Sequence, residues 1–352
     1  MKKYIISPEL NWYRANFHCH TVNSDGGMTP EQVKDAYKAQ GYSIVAYTDH
    51  EILLDHSYLD DDNFLALTSS EYSIGQPEPA YPQILDVETA PWPRSKTIHL
   101  NVFAPNQHDV FQPAAHDDTL WSNGGKYKNQ GKCDGYRRTY TKESINETVK
   151  RLNDKGFLVQ LNHPYWSLNT SEDYLNIEGL WGLEILNYAT ELETGSEYCP
   201  FIYDEMVRSG MYGLCCTMGD DNHNRDGEKP WRESFGGSTF IGAKELKYDQ
   251  IFEAMKNGNV YCASGRYNPP QFKEVYVENG KIVIECSPVE NICLNGYGRC
   301  DRHITSQEGE FITHAEFDLR PSDVYFRITI KDERGNVAHT RHYFVKDFIE
   351  NN

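Results

Sequence analysis

Short apolar runs recur through the first 265 residues, and most of them end in a polar segment. Apolar runs of strand length that are bounded by polar residues are typical of buried β-strands. The predicted strands are 12–17, 43–48, 64–68, 97–103, 157–161, 180–186, 214–218 and 238–241.

Amphipathic segments lie between several of these runs. The first predicted helix covers residues 30–40, and Gly41 ends it. Thr29 stands just before it and Gln32 follows three residues later, which is the spacing of a capping box. Further helices are predicted between Thr141 and Gly156, at 202–209 and at 248–257.

Strand, polar tip and helix follow one another about seven times. This order predicts parallel strands joined by crossover helices, and therefore an α/β fold. The polar tips should then lie together at one edge of the sheet, which in (β/α) barrels is the catalytic face.

The pattern changes after Gly265, where strand-like runs are separated by turn residues and no helical spacing is found. We predict strands at 272–277, 281–286, 324–330 and 343–345, forming a small antiparallel β-sandwich. The chain is thus predicted to have two domains, 1–265 and 266–352. Residues 104–140 are rich in Gly, Asn and Lys and are predicted to form a long loop.

Composition narrows the functions that the chain can have. Hydrophobic residues make up 39% of its 352 residues, enough for a sizeable core. A formal charge of −18 argues against a stable complex with nucleic acid, although a small anionic substrate can still bind beside metal ions.

Nine scattered cysteines without a Cys-x-x-Cys pair favour a reduced chain. The sequence shows no run typical of a signal peptide and none long enough to span a membrane. We therefore expect a cytoplasmic protein with no membrane partner; the sequence indicates no oligomeric state.

Residue types that bind metals cluster near the predicted strand ends. His18 and His20 alternate on an extended segment, so both imidazoles can face one ion. Imidazole and carboxylate ligands suit zinc, iron and manganese. The full set is His18, His20, Asp25, Asp49, His50, Glu71, His99, His163, Asp221 and His223.

Each of these residues also has an ordinary structural interpretation. His50 can cap a helix, Glu71 can be a solvated loop charge, and His163 before Pro164 can be a packed turn residue. Ligand-type residues at so many strand ends are nevertheless hard to produce by chance, which favours a metal site.

The motifs resemble the polymerase and histidinol phosphatase (PHP) superfamily over about residues 12–265. The motifs that carry the resemblance are His18-x-His20 with Ser24-Asp25-Gly26, Thr48-Asp49-His50, Asn162-His163-Pro164 and Gly219-Asp220-Asp221-Asn222-His223, with Glu71 and His99 between them. The resemblance implies a distorted (β/α)7 TIM-like barrel that binds two or three divalent ions at its C-terminal face, followed here by the β-sandwich.

The resemblance also implies a set of ligands for each ion. His18, His20, Glu71 and Asp221 would hold the first ion, and Glu71, His99 and His163 the second, so that Glu71 bridges them. Asp25, His50 and His223 would hold the third. The last motif departs from the usual Gly-Ser-Asp-Ala-His at Asp220 and Asn222, and Glu51 stands where Asp or Asn is common.

Such a cluster predicts a phosphoesterase of small phosphomonoesters or nucleotide-like phosphates. The ions would share a hydroxide that attacks phosphorus, and they would offset the charge on the phosphoryl oxygens. Arg225, Arg232 or Arg266 can bind the phosphate, or each can be a surface arginine in an ion pair. Asp49 is predicted to orient a ligand, and Glu184 and Asn187 to line the pocket.

Two other functions are compatible with the sequence. Similar His/Asp clusters on barrels hydrolyse non-phosphate bonds such as amides. The C-terminal β-domain can also make the chain a binding module, although the complete ligand set favours an enzyme.

Overall fold

The computed structural model describes residues 1–77, 95–120, 132–225, 231–298 and 302–349. Its helices are α1 (Pro30–Ala39), α2 (Lys142–Asp154), α3 (Ser171–Tyr174), α4 (Tyr188–Thr194), α5 (Pro200–Arg208) and α6 (Tyr248–Lys256). The strands before residue 265 are β1 (Lys3–Ile6), β2 (Asn11–Asn16), β3 (Ile44–Tyr47), β4 (Leu65–Gly75), β5 (Thr97–Phe103), β6 (Leu158–Leu161), β7 (Gly182–Asn187), β8 (Cys215–Gly219), β9 (Gly237–Ala243) and β10 (Val260–Ser264).

The strands after residue 265 are β11 (Phe272–Glu278), β12 (Lys281–Val289), β13 (Asn291–Gly296), β14 (Arg302–Thr305), β15 (Ile312–Asp318), β16 (Tyr325–Lys331), β17 (Val337–Thr340) and β18 (Tyr343–Phe344). Residues 121–131 of the predicted long loop lie outside the described residues. No helix in the described ranges is both long enough and apolar enough to cross a membrane.

The predicted start of α1 is confirmed. The Thr29 hydroxyl accepts a hydrogen bond from the backbone N–H of Gln32, and the Gln32 side chain accepts one from the N–H of Thr29. The helix buries Val33 and Tyr37. It is thereby fixed against the sheet directly after the His18–Asp25 segment.

The main sheet is mixed, not parallel throughout. Its order is β9-β2-β3-β4-β5-β6-β7-β8, in which β5 runs antiparallel to β4 and β6, and β9 antiparallel to β2. The prediction of parallel strands was wrong for these two. The connection from β4 to β5 contains no predicted helix, and an antiparallel return does not need one.

The barrel implied by the resemblance is not confirmed, because the described sheet does not close. Closure would require β8 to pair with β9, but β9 already pairs with β2 on one edge and β10 on the other. Side-chain hydrogen bonds bridge the gap instead: the Thr239 hydroxyl donates to the carbonyl oxygen of Met218 and accepts from its N–H, both at 3.1 Å. The architecture shown is therefore α/β with a large open sheet.

The C-terminal strands form antiparallel sheets, as predicted. One sheet has the order β1-β11-β12-β15, and the other strands extend the main sheet in the order β10-β17-β16-β13-β14. Apolar residues from both sheets, including Ile6, Val275, Ile284 and Phe326, pack into one core. Because β1 and β10 take part in these sheets, the strand pairing crosses residue 265, and the predicted boundary there stays a prediction.

Candidate metal centre

The predicted ligands converge at one edge of the main sheet. His18 and His20 follow β2, His50 follows β3, His163 follows β6, and Asp221 with His223 follows β8; Glu71 lies within β4 and His99 within β5. Because β5 is antiparallel, the first half of β5 lies beside the last part of β4, with His99 opposite Ser73. His99 thereby reaches this edge from inside a strand.

Side chains at this edge form three groups whose ligand atoms lie within 4.8 Å of one another. The groups are His18, His20, Glu71 and Asp221; Glu71, His99 and His163; and His20, Asp25, His50 and His223. They match the three predicted sets, with His20 added to the third. These groups can bind divalent metal ions.

The first group is buried, and four of its polar atoms approach one another without forming hydrogen bonds. Asp221 Oδ1 lies 2.9 Å from His20 Nε2 and 3.2 Å from His18 Nε2. His18 Nε2, both ring nitrogens of His20 and Asp221 Oδ1 have no hydrogen-bond partner among the described residues. Buried polar atoms are rarely left unpaired. Their convergence therefore fits a shared cation.

Glu71 joins the groups through its two carboxylate oxygens. Oε1 lies 3.0 Å from His99 Nδ1, 3.1 Å from His163 Nε2 and 3.3 Å from His18 Nε2. Oε2 lies 3.4 Å from His20 Nε2 and 3.2 Å from His50 Nδ1. This placement is the one that a bridging carboxylate requires.

The third group is more open than the first. Asp25 Oδ1 lies 3.7 Å from His20 Nδ1 and 3.7 Å from His50 Nε2, and Asp25 Oδ2 lies 3.5 Å from His223 Nε2. The other nitrogen of His223, Nδ1, lies 2.9 Å from the carbonyl oxygen of Asp221. Its Nε2 is thereby directed towards Asp25.

The charges in the cluster change the pKa values of its members. Burial opposes protonation of His20, yet Asp221 and Glu71 raise its pKa to about 10, and Asp221, Glu71 and Glu184 likewise raise the pKa of buried His18. Burial opposes ionisation of Glu71 and Asp221, but the neighbouring histidines lower the pKa of both carboxyls. A metal ion that binds here would therefore have to displace protons from His18 and His20.

Glu184 contacts several of these residues or their neighbours. One oxygen lies 3.1 Å from His18 Nδ1, and the other accepts hydrogen bonds from the backbone N–H of His163 and from Asn187 Nδ2. Asn187 Nδ2 also donates to Asp221 Oδ2 at 3.1 Å. The contact with Nδ1 leaves Nε2 of His18 free to face an ion.

Asp49 holds the segment between His20 and Asp25. Its carboxylate accepts hydrogen bonds from the N–H and hydroxyl groups of both Thr21 and Ser24. A Cβ on Gly26 would lie 2.6 Å from the carbonyl oxygen of His20, so the turn requires glycine there. The structure thus places Asp49 against the segment that carries the predicted ligands, and its role in orienting a ligand stays a prediction.

Two of the predicted ligands occupy unusual backbone conformations. Asp221 has φ 53° and His163 has φ 24°, values that non-glycine residues seldom adopt. Strained residues persist where the surroundings fix them, often at functional sites. Two hydrogen bonds hold these residues in their conformations: one from His163 N to Glu184, and one from Asp221 N to the carbonyl oxygen of His18.

A cavity of about 560 Å³ opens onto the three groups. Beyond the predicted ligands it is lined by Trp166, Ala189, Thr190, Glu193, Thr194, Arg225 and Glu233. Arg225 pairs with Asp25 Oδ2, and its Nε donates to the carbonyl oxygen of Asp25. It is thus beside the third group, at the edge of the cavity.

Comparisons with known proteins gave matches among solved structures, whereas no family model and no curated protein matches the chain. A two-domain protein from Bacteroides vulgatus, described as containing a predicted PHP-like metal-dependent phosphoesterase, is 13% identical, with 97% of this chain and 98% of that chain covered and a TM-score of 0.41.

Two further solved structures are similar to this chain. A proposed metal-dependent phosphoesterase from Bifidobacterium adolescentis is 16% identical, covering 69% of this chain and 96% of that chain, with a TM-score of 0.35. An amidohydrolase from Chromobacterium violaceum, with bound sulfate and no metal, is 15% identical, covering 61% and 89%, with a TM-score of 0.37.

The other predicted phosphate-binding residues lie outside this cavity. Arg266 donates to the carbonyl oxygens of Ser234 and Trp231, and it lines a separate cavity. Arg232 is exposed.

Asp220, the carboxylate that departs from the usual motif, is buried and accepts hydrogen bonds from the N–H groups of residues 235–237, which ties the end of β8 to β9. Burial raises the pKa of Asp220 to about 6.

Sequence reasoning missed several residues of the site. Glu184 and Asn187 were predicted to line the pocket, but neither is among the described residues that line the cavity, and both contact the predicted ligands instead. A glutamate inside an apolar strand is itself unusual. Trp166 and the cavity face of α4 carry no ligand-type motif. Only the fold brings them to the metal ligands.

Proposed function

We propose that the chain is a metal-dependent phosphoesterase that hydrolyses a small phosphomonoester. The observation that carries the proposal is the position of Glu71, whose carboxylate belongs to two of the three groups and has one oxygen 3.2 Å from His50 of the third. When bound, divalent ions such as zinc, manganese or iron acidify water and offset the charge that builds on a phosphoryl group.

The protein groups around the cavity have separate tasks in this proposal. His18, His20, Glu71 and Asp221 hold one ion, Glu71, His99 and His163 a second, and Asp25, His50 and His223, with His20, a third. Arg225 is the only arginine or lysine among the described residues that line the cavity. We assign it the substrate phosphate, since a guanidinium that pairs with Asp25 retains further N–H donors.

The test uses Glu71→Gln beside His108→Gln. The amide keeps the size of the side chain but removes the charge that offsets the ions, so we expect loss of one metal equivalent and a fall in turnover of about 100-fold or more. His108 is exposed and contacts Asp55, outside the metal groups, and its variant should retain both properties. The measurements are metal content, circular dichroism and phosphate release.

The main alternative is hydrolysis of a non-phosphate bond by the same ligands. A panel of phosphomonoesters and N-acyl amides, assayed with the metal-loaded protein, distinguishes the two. Turnover of the amides without phosphate release would contradict the proposal, as would full activity after complete removal of metal.

A further inference from the structure

The cavity has an outer end of different character from its metal-binding end. Trp166 and the face of α4 made by Ala189, Thr190, Glu193 and Thr194 form this outer end. The indole ring lies 5.2 Å from the ring of His163 and 5.8 Å from that of His99, measured between centroids. The outer end is therefore directly beside the second metal group.

The polar atoms of this outer end are already engaged within the protein. The hydroxyl of Thr190 donates to the carbonyl oxygen of Asn187, and that of Thr194 donates to the carbonyl oxygen of Thr190. The indole N–H of Trp166 donates to Glu193 at 3.2 Å. Apart from the Glu193 carboxylate, what remains for a ligand is apolar: an indole ring, the Ala189 methyl group and the threonine methyl groups.

The loop that carries Trp166 is held firmly. The buried carboxylate of Glu197 accepts hydrogen bonds from the backbone N–H groups of Tyr165 and Trp166 at 3.2 and 2.8 Å. Leu168 has φ 59°, which is strained for a branched side chain. Tyr165, Trp166 and Leu168 nevertheless remain partly exposed. The indole ring of Trp166 is thus held in place at the opening of the cavity.

The charges at this end disfavour an anionic ligand group. Glu193 lies on α4, and the one described cation of the cavity, Arg225, pairs with Asp25 beside the third metal group. A second phosphate or a carboxylate near α4 would face Glu193 without a partner. An uncharged group meets no such penalty.

We propose that the outer end binds the leaving group of the substrate, and that this group is an uncharged alcohol bearing an apolar ring. This inference rests on the proposed function. Hydrolysis would add water across the P–O bond and release orthophosphate and the ring-bearing alcohol. The ring would pack between Trp166 and the small residues of α4.

The experiment compares 2-phenylethyl phosphate with ethyl phosphate on the metal-loaded protein. Both esters release a primary alcohol, so the ratio of their kcat/KM values reports contacts with the ring. Burial of a phenyl ring stabilises by roughly 1.5–3 kcal/mol, so a ratio of about 10–100 in favour of the phenylethyl ester is expected. 2-Phenylethanol should inhibit competitively, raising KM and leaving kcat unchanged.

Variants test whether this end of the cavity causes the preference for the phenylethyl ester. Trp166→Ala should lower the ratio to about one, and Thr194→Glu, on an exposed position of α4, should lower it without removing the indole. Phe311→Ala is the control, because Phe311 is also exposed but stands before β15. It should keep the ratio of the unmodified protein.

The results distinguish failure of the leaving-group inference from failure of the phosphoesterase proposal. Hydrolysis of both esters with a ratio near one would overturn the leaving-group inference and leave the phosphoesterase proposal intact. A high ratio that survives both Trp166→Ala and Thr194→Glu would overturn it as well. Hydrolysis of neither ester would overturn both proposals.

Discussion

Glu184 contacts two of the predicted metal ligands directly and reaches a third through Asn187. Glu184→Gln replaces one carboxylate oxygen with an amide, which can donate to His18 Nδ1 and favour the tautomer with its proton on Nε2. We expect metal affinity to fall by about 10–100-fold, the range for residues that orient ligands. Titration against a chromogenic chelator measures this affinity.

Glu197→Gln is the matched control for that variant. Glu197 is as fully buried as Glu184, but its hydrogen-bond donors are the backbone amides of Tyr165 and Trp166. Metal affinity should therefore change little. Equal losses in the two variants would show that burying an amide at either site, and not ligand orientation, causes the effect.

Glu197 also predicts a pH dependence of stability. Burial raises its pKa to about 7, above the ordinary value near 4.5. A raised pKa means that the stabilisation is complete below pH 4.5 and is lost as pH rises through 7. Compared with the unmodified protein, Glu197→Gln should therefore be destabilised more at pH 5 than at pH 9. The two destabilisations should differ by about 1–3 kcal/mol. Urea unfolding at both pH values measures the difference; an equal change at both would contradict the shift.

Asp49 is an anchor for the segment between β2 and α1 at the scale of the element. Asp49 accepts hydrogen bonds from Thr21 and Ser24, and this segment delivers Asp25 to the third metal group. Asp49→Ala should cost about 2–3 kcal/mol of unfolding free energy, since several buried donors lose their acceptor. It should also weaken binding at the third group more than at the first.

Asp60→Ala is the comparison for this variant. Asp60 also accepts a backbone hydrogen bond, from Ala66, and a side-chain one from Gln107, but it lies outside the metal groups. Both variants should be less stable, and only Asp49→Ala should lose a metal equivalent. Retention of all metal by Asp49→Ala, measured by elemental analysis, would show that Asp25 needs no such anchor.

The strand pairing of the whole molecule predicts what removal of residues 266–352 does. Truncation after Gly265 takes β17 from β10 and β11 from β1. It also uncovers Phe240 and Tyr261, which pack in the core shared with the C-terminal sheets. We expect aggregation or a markedly lower Tm, seen by size-exclusion chromatography and thermal unfolding. A soluble fragment with the original Tm would instead support an independent domain ending at residue 265.

Local patterns in the sequence predicted many of the elements and the kinds of ligand, but not β1, β10, α3 or α4. Thr29 and Gln32 fixed the start of α1 because a capping box needs only neighbouring residues. The two histidines around Cys19 were predicted to share a face, since side chains alternate on an extended backbone. The three ligand groups followed from the motifs' resemblance to a family, and the side chains that form them in the structure are those predicted, with His20 added to the third.

Only the tertiary structure decided the direction of β5, the open sheet and the surroundings of the ligands. The direction of a strand depends on its pairing with distant residues, such as Ser73 with His99, and not on its own pattern. Closure failed because both edges of β9 are paired, one with β10, the next strand along the chain, and the other with β2, which is distant in sequence. The roles of Glu184 and Trp166 likewise come from contacts that local sequence does not encode, because side chains distant along the chain meet only after folding.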